Sequence, residues 1–91
     1  MGDIKNSTLA VIPKMFSGIE KFLVYTSPKG KAFEGNYRFV GGKIEMGEDY
    51  ISTLKREFFE EFNVRISQIQ FLYRKNNVLG GEIFLCQGII N

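Results

Sequence analysis

The sequence predicts one domain of mixed α/β (α+β) class, with elements in the order ββ(β)αββ around a mixed sheet. Two observations carry that prediction. Short runs rich in β-branched and aromatic residues, bounded by Gly, Pro, Ser and Asn, lie on both sides of a single stretch of helical periodicity. The chain has 91 residues, 44% of them hydrophobic and 24% charged, which suits one folded core and not two.

The elements follow in order. Thr8 to Ile12 (TLAVI) reads as a short strand broken by Pro13, and Ser17-Gly18 reads as a turn. Lys21 to Thr26 (KFLVYT) reads as a second strand, so the two runs are expected to form a hairpin. Ser27 to Gly35 is a loop carrying Lys29 and Lys31. Tyr37 to Val40 is a short strand stopping at Gly41-Gly42. A helix fits Asp49 to Phe62. Ile69 to Arg74 and Glu82 to Ile90 complete the sheet, joined by a polar turn near Lys75-Asn76-Asn77.

Composition removes several functional classes. There is no His and one cysteine, Cys86, so Ser-His and Cys-His catalysis, His-metal sites and an intramolecular disulfide are excluded. Acid–base or metal chemistry falls to carboxylates, Lys or Tyr. A net charge of +2 is too small for a general polyanion binder, so no nucleic acid is expected as a partner. No apolar run approaches the ~20 residues of a membrane span, and Met1 to Lys14 lacks the apolar core of a signal peptide. A reducing cytoplasm is the expected compartment.

The helix carries the chemistry. Ile51, Leu54, Phe58 and Phe62, spaced by 3, 4 and 4, form an apolar stripe that must pack on the sheet. Glu57, Glu60 and Glu61 fall on another face at i, i+3 and i+4, where like charges repel. They also lie near the helix C-terminus, where the macrodipole disfavours negative charge. Three glutamates on a helix are ordinarily a solvated face. Here two local rules are broken at one place, as happens at functional sites where a bound cation compensates. Oxygen-only ligands of this kind suit Mg²⁺ or Mn²⁺.

From Gly42 the chain reads Gly42, five residues, Glu48, seven residues, then Arg56-Glu57-Phe58-Phe59-Glu60-Glu61-Phe62-Asn63-Val64. This resembles the Nudix hydrolase signature, G-x5-E-x7-R-E-U-x-E-E-x-G-U, with U an apolar residue. All fixed positions match over residues 42–64 except Asn63, which stands where the family has Gly. Asn tolerates the left-handed region well enough to cap the helix. Val40 stands where Pro is common, before the double Gly.

The resemblance implies an α/β/α sandwich in which the signature forms a loop-helix-loop. It implies Mg²⁺- or Mn²⁺-dependent hydrolysis of a nucleoside diphosphate linked to another moiety, by water attack at phosphorus. The sequence GGKIEMGE (Gly41 to Glu48) points towards nucleoside triphosphates. Glu57, Glu60 and Glu61 would hold the metal, helped by a backbone carbonyl of Gly41 or Gly42. Glu57 matches a position proposed as general base in some members, and Glu48 and Arg56 would brace the loop against the helix. Arg38, Lys29, Lys31 and Gly42 would meet substrate, while Tyr25, Tyr37 and Phe39 could stack on a base, although strand aromatics are more often core. Family members also have a strand and a second helix after the position of Asn91. Residues 1–91 are therefore expected to be one partial domain lacking its C-terminal helix, with an uncovered sheet face that favours a homodimer or domain-swapped oligomer. A catalytically inactive nucleotide-binding or regulatory module is the alternative.

Overall fold

The computed structural model describes residues 5–26, 37–76 and 80–90. Eight strands and one helix lie among them: β1 (Ser7–Val11), β2 (Pro13–Phe16), β3 (Ile19–Phe22), β4 (Tyr25–Thr26), β5 (Tyr37–Arg38), β6 (Val40–Lys43), α1 (Tyr50–Phe62), β7 (Ile66–Asn76) and β8 (Glu82–Ile90). A four-stranded mixed sheet runs in the order β6-β1-β8-β7. β1 is antiparallel to β6 and parallel to β8, and β8 is antiparallel to β7. Two small ribbons, β2-β3 and β4-β5, stand beside it. The expected mixed α+β class and mixed sheet are present, with α1 packed over β6, β1 and β7.

The hairpin differs from expectation. Its arms are β2 and β3, paired from Pro13↔Phe22 to Phe16↔Ile19 around Ser17 and Gly18, both at positive φ (52° and 81°). TLAVI is not an arm; it is the β1 strand of the main sheet. Pro13 does not simply end a strand but begins the next, a position where its missing N–H costs no ladder bond. The KFLVYT run splits between β3 and β4. Loop residues Lys29 and Lys31 lie outside the described residues.

A second difference is at Gly41-Gly42. Both lie inside β6, so the strand does not stop there. The positive-φ glycines among the described residues are Gly18, Gly47 and Gly80, so the double Gly makes no sharp turn. It serves close approach instead: a Cβ on Gly41 would strike the Thr8 carbonyl and Leu9, and one on Gly42 would strike the Glu57 carboxylate. The turn falls at Gly47, with φ 85°.

The core sits between α1 and the sheet. Ala10, Ile12, Val40, Leu54, Phe58, Ile66 and Cys86 are buried, with Leu23, Tyr50, Val64, Ile69 and Ile90 packed against them. The helical stripe holds at its centre, where Leu54 and Phe58 are fully buried. Its last member, Phe62, is 37% exposed and lies with its ring 6.4 Å from that of Phe58. The Thr8 hydroxyl, also buried, donates to the Phe84 carbonyl at 2.9 Å, so it is not left unpaired. β7 begins three residues earlier than expected, at Ile66, and its register against β8 shifts beside Gln68, whose φ of 51° marks a β-bulge. Met15, Phe16, Ile19 and Phe22 of the hairpin are exposed.

Asp49 caps α1 by accepting the Ser52 N–H at 2.7 Å. Asn63 closes the other end at φ 55°, ψ 38°, its N–H donating to the Phe59 carbonyl at 2.9 Å. The left-handed cap expected of Asn63 is present. Truncating Phe58→Ala should destabilise the fold by about 3–5 kcal/mol. Asn63→Ala should cost about 1 kcal/mol while Asn63→Gly stays neutral or better. Equilibrium urea unfolding checks all three.

Candidate functional site

The loop between β6 and α1 and the outward edge of α1 converge on Arg56. Its Nε donates to Glu48 Oε2 at 2.7 Å and its Nη2 to Glu48 Oε1 at 3.0 Å, a bidentate pair. Nη2 also donates to the Lys43 carbonyl at 3.2 Å, and Nη1 to Glu57 Oε1 at 3.0 Å. Glu60 reaches the same nitrogen at 3.5 Å. The expected brace between Glu48 and Arg56 is thus the centre of a wider network.

Glu48 is held more fully than the sequence suggests. Besides Arg56 it accepts the Glu45 N–H at 3.0 Å and the Thr53 hydroxyl at 2.9 Å. The Arg56 bonds above all, then the Glu45 N–H, hold its carboxyl down at about 2. Thr53, Lys43 and Glu45 were not singled out from the sequence. Only Thr53 left a sign there: it is a polar residue one step from the apolar stripe, on the side facing the loop, and it is fully buried.

Glu57 behaves oppositely. Its side chain is largely buried against Gly42, and desolvation raises its pKa; Arg56 opposes that shift, while Glu60 and Glu61 add to it. Glu60 and Glu61 are exposed. Among the described residues, no three His, Cys, Asp or Glu side chains converge closely enough to hold a metal ion. Arg56 draws Glu57 and Glu60 to itself, and Glu61 makes no ion pair among the described residues. The donor chemistry nonetheless fits a hard divalent cation: oxygen ligands only, one of them desolvated, with mutual repulsion to relieve. The missing Cβ of Gly42 leaves room for the Glu57 carboxylate.

The other candidates are more dispersed. Arg38 ends β5, opposite Tyr25, on the path into β6. Tyr37 is 78% exposed, so it is not core.

The two carboxylates titrate with opposite signs. Glu48, depressed from 4.5, contributes stability that is complete above about 4.5 and lost as pH falls through about 2. Glu57, raised, opposes folding once ionised and relieves that cost as pH falls through its folded pKa. Melting temperature against pH should therefore drop steeply for the parent between about 4.5 and 2, and less steeply for Glu48→Gln. Glu57→Gln should leave that acid limb in place.

Comparison with known proteins matches residues 8–84 to the NUDIX domain family model. A NUDIX hydrolase from Nitrosomonas europaea is similar at 22% identity and a TM-score of 0.71, over 98% of this chain and 60% of that one. A MutT/nudix family protein from Enterococcus faecalis is similar at 20% identity and 0.79, over 98% and 38%. The NUDIX domain of Shewanella oneidensis NrtR, solved with ADP ribose, is similar at 19% identity and 0.77, over 98% and 62%. The chain spans less than two thirds of each of these neighbours. A signature-bearing loop and helix, seated on a mixed sheet and matched by the family model over most of the sequence, place this chain in the NUDIX domain family.

Proposed function

We propose that this domain hydrolyses a nucleoside diphosphate linked to another moiety, a nucleoside triphosphate or related nucleotide, by water attack at phosphorus with Mg²⁺ or Mn²⁺ bound. The observation that carries this reading is the placement of Glu57: a desolvated carboxylate lodged against Gly42, with Glu60 and Glu61 one turn along the same helix. Glu57, Glu60 and Glu61 would hold the ion, with the Gly41 or Gly42 carbonyl as a further ligand. A divalent ion, when bound, supplies charge neutralisation to the phosphates and acidifies water.

The chain's own residues do the rest. Where Glu60 and Glu61 hold the ion without it, Glu57, whose pKa desolvation raises, would instead take the proton of the attacking water. Arg56 and Glu48 are positioning residues: their bidentate pair fixes the loop and sets the rotamer of Glu57 through a third bond. Glu60 is tied to Arg56 only by a 3.5 Å contact and is 56% exposed, so it can turn towards a ligand more readily than Glu57. Arg38, with Lys29 and Lys31 of the preceding loop, supplies positive charge for the phosphates. The exposed apolar hairpin favours association with a second copy. No helix among the described residues is long and apolar enough to cross a membrane.

A binding module without turnover is the second reading. It is favoured by the engagement of Glu57 and Glu60 with Arg56. Calorimetry showing nucleotide binding beside zero hydrolysis separates it from the first.

Incubation with a nucleotide panel and Mg²⁺ or Mn²⁺ should release phosphate, pyrophosphate or nucleoside monophosphate. Glu57→Gln and Glu61→Gln should each lower the rate by about a hundredfold or more. No release from any nucleotide by a folded sample refutes the hydrolase reading. Adding a chelator should abolish turnover and leave the melting temperature nearly unchanged; large unfolding would make the ion structural.

A further inference from the structure

On the shoulder of α1 away from Glu57, a groove of about 610 Å³ is lined by Lys55, Arg56, Phe59, Arg65, Ile66 and Ser67. Local geometry builds it. Lys55 and Phe59 are four residues apart, so they stack on one helical face. The left-handed Asn63 reverses the chain, and Arg65, Ile66 and Ser67 return alongside that face as β7 begins. Three features then stand together. Arg56 is spent on Glu48 and Glu57, but Lys55 and Arg65 make no ion pair among the described residues. Phe59 is 54% exposed, an aromatic on an outward helix face where burial does not account for it. The Ser67 hydroxyl adds a neutral hydrogen-bond donor at the groove's far wall.

We propose that this groove binds a phosphate ester of a planar aromatic group, a nucleoside monophosphate in its simplest form, separately from the hydrolytic centre. Lys55 and Arg65 meet the phosphate, which needs two cations at the mouth and no metal. Phe59 offers its open face to the base. The volume lies within the range of pockets that take molecules of this size. An acidic peptide would satisfy the cations but leave the aromatic face without a planar partner.

The test is calorimetric titration of the full chain with AMP, inorganic phosphate and adenosine, in excess chelator. AMP has no phosphoanhydride to hydrolyse, and chelation removes metal-dependent phosphate binding at Glu57, Glu60 and Glu61. AMP is expected to bind more tightly than either fragment. Lys55→Glu and Arg65→Glu should each weaken it about tenfold or more, and Phe59→Ala by about tenfold. Glu57→Gln should leave AMP affinity unchanged, and Lys55→Glu should leave hydrolysis of the nucleotide panel unchanged, so this site and the hydrolytic centre fail independently. No AMP binding by the folded chain overturns the proposal, as does binding that survives both charge reversals. Phosphate binding as tightly as AMP, or affinity indifferent to Phe59→Ala, also overturns it. Tighter binding of an aspartate- and glutamate-rich peptide than of AMP would assign the groove to a protein partner instead.

Discussion

The Arg56 guanidinium holds the candidate site together. It is a planar fork with five donors, and it spends them on four groups from three places in the chain: the loop residue Glu48, the Lys43 carbonyl at the end of β6, and Glu57 and Glu60 on its own helix. A lysine could meet one of these as a point charge but could not grip Glu48 with both oxygens. Because the pair is only partly exposed, its bonds are screened less than those of a surface ion pair. The loop, the strand end and the helix are thereby fixed to one another at a site that stays partly open to solvent.

Backbone approach is the second constraint. Gly41 and Gly42 run through β6 as strand, and their value lies in what they leave out. The first lets β6 lie tight on β1 at Thr8 and Leu9, and the second admits the Glu57 carboxylate. The buried faces of Leu54 and Phe58 press α1 onto the same strands, so helix packing sets the depth at which Glu57 sits. A raised Glu57 and a depressed Glu48 on either side of one arginine follow from that depth: the first is desolvated against the sheet, and the second is bathed in donors.

The acidic trio divides along the same line. Glu57 points inward, while Glu60 and Glu61 stand exposed. The i, i+3, i+4 spacing put them on neighbouring helical positions, but spacing cannot say where flexible side chains end, and a guanidinium one residue away offers two of them an immediate partner. Lys55 and, just before β7, Arg65 make no ion pair among the described residues and line the groove on the opposite shoulder of α1, so the two sides differ in their electrostatics.

Fold class, the helix with its Asn63 cap and its buried stripe at Leu54 and Phe58 were legible in the sequence from local composition and a fixed helical period, and the Glu48–Arg56 brace from the resemblance of the signature. The hairpin was mispaired because TLAVI, read locally, has a nearer neighbour than its true ones. Its partners β6 and β8 lie some thirty and seventy-five residues away, and only tertiary packing selects them. The expectation that the strand stops at Gly41-Gly42 failed for the same reason: a glycine pair reads locally as a break, whereas close approach to Thr8 and Glu57 exists only once the sheet and helix have met. The sequence by itself determined which residues carry charge and in what helical order. The tertiary structure decided which carboxylate is desolvated and which is gripped by Arg56, because solvation and pairing depend on distances between segments that the linear order does not contain.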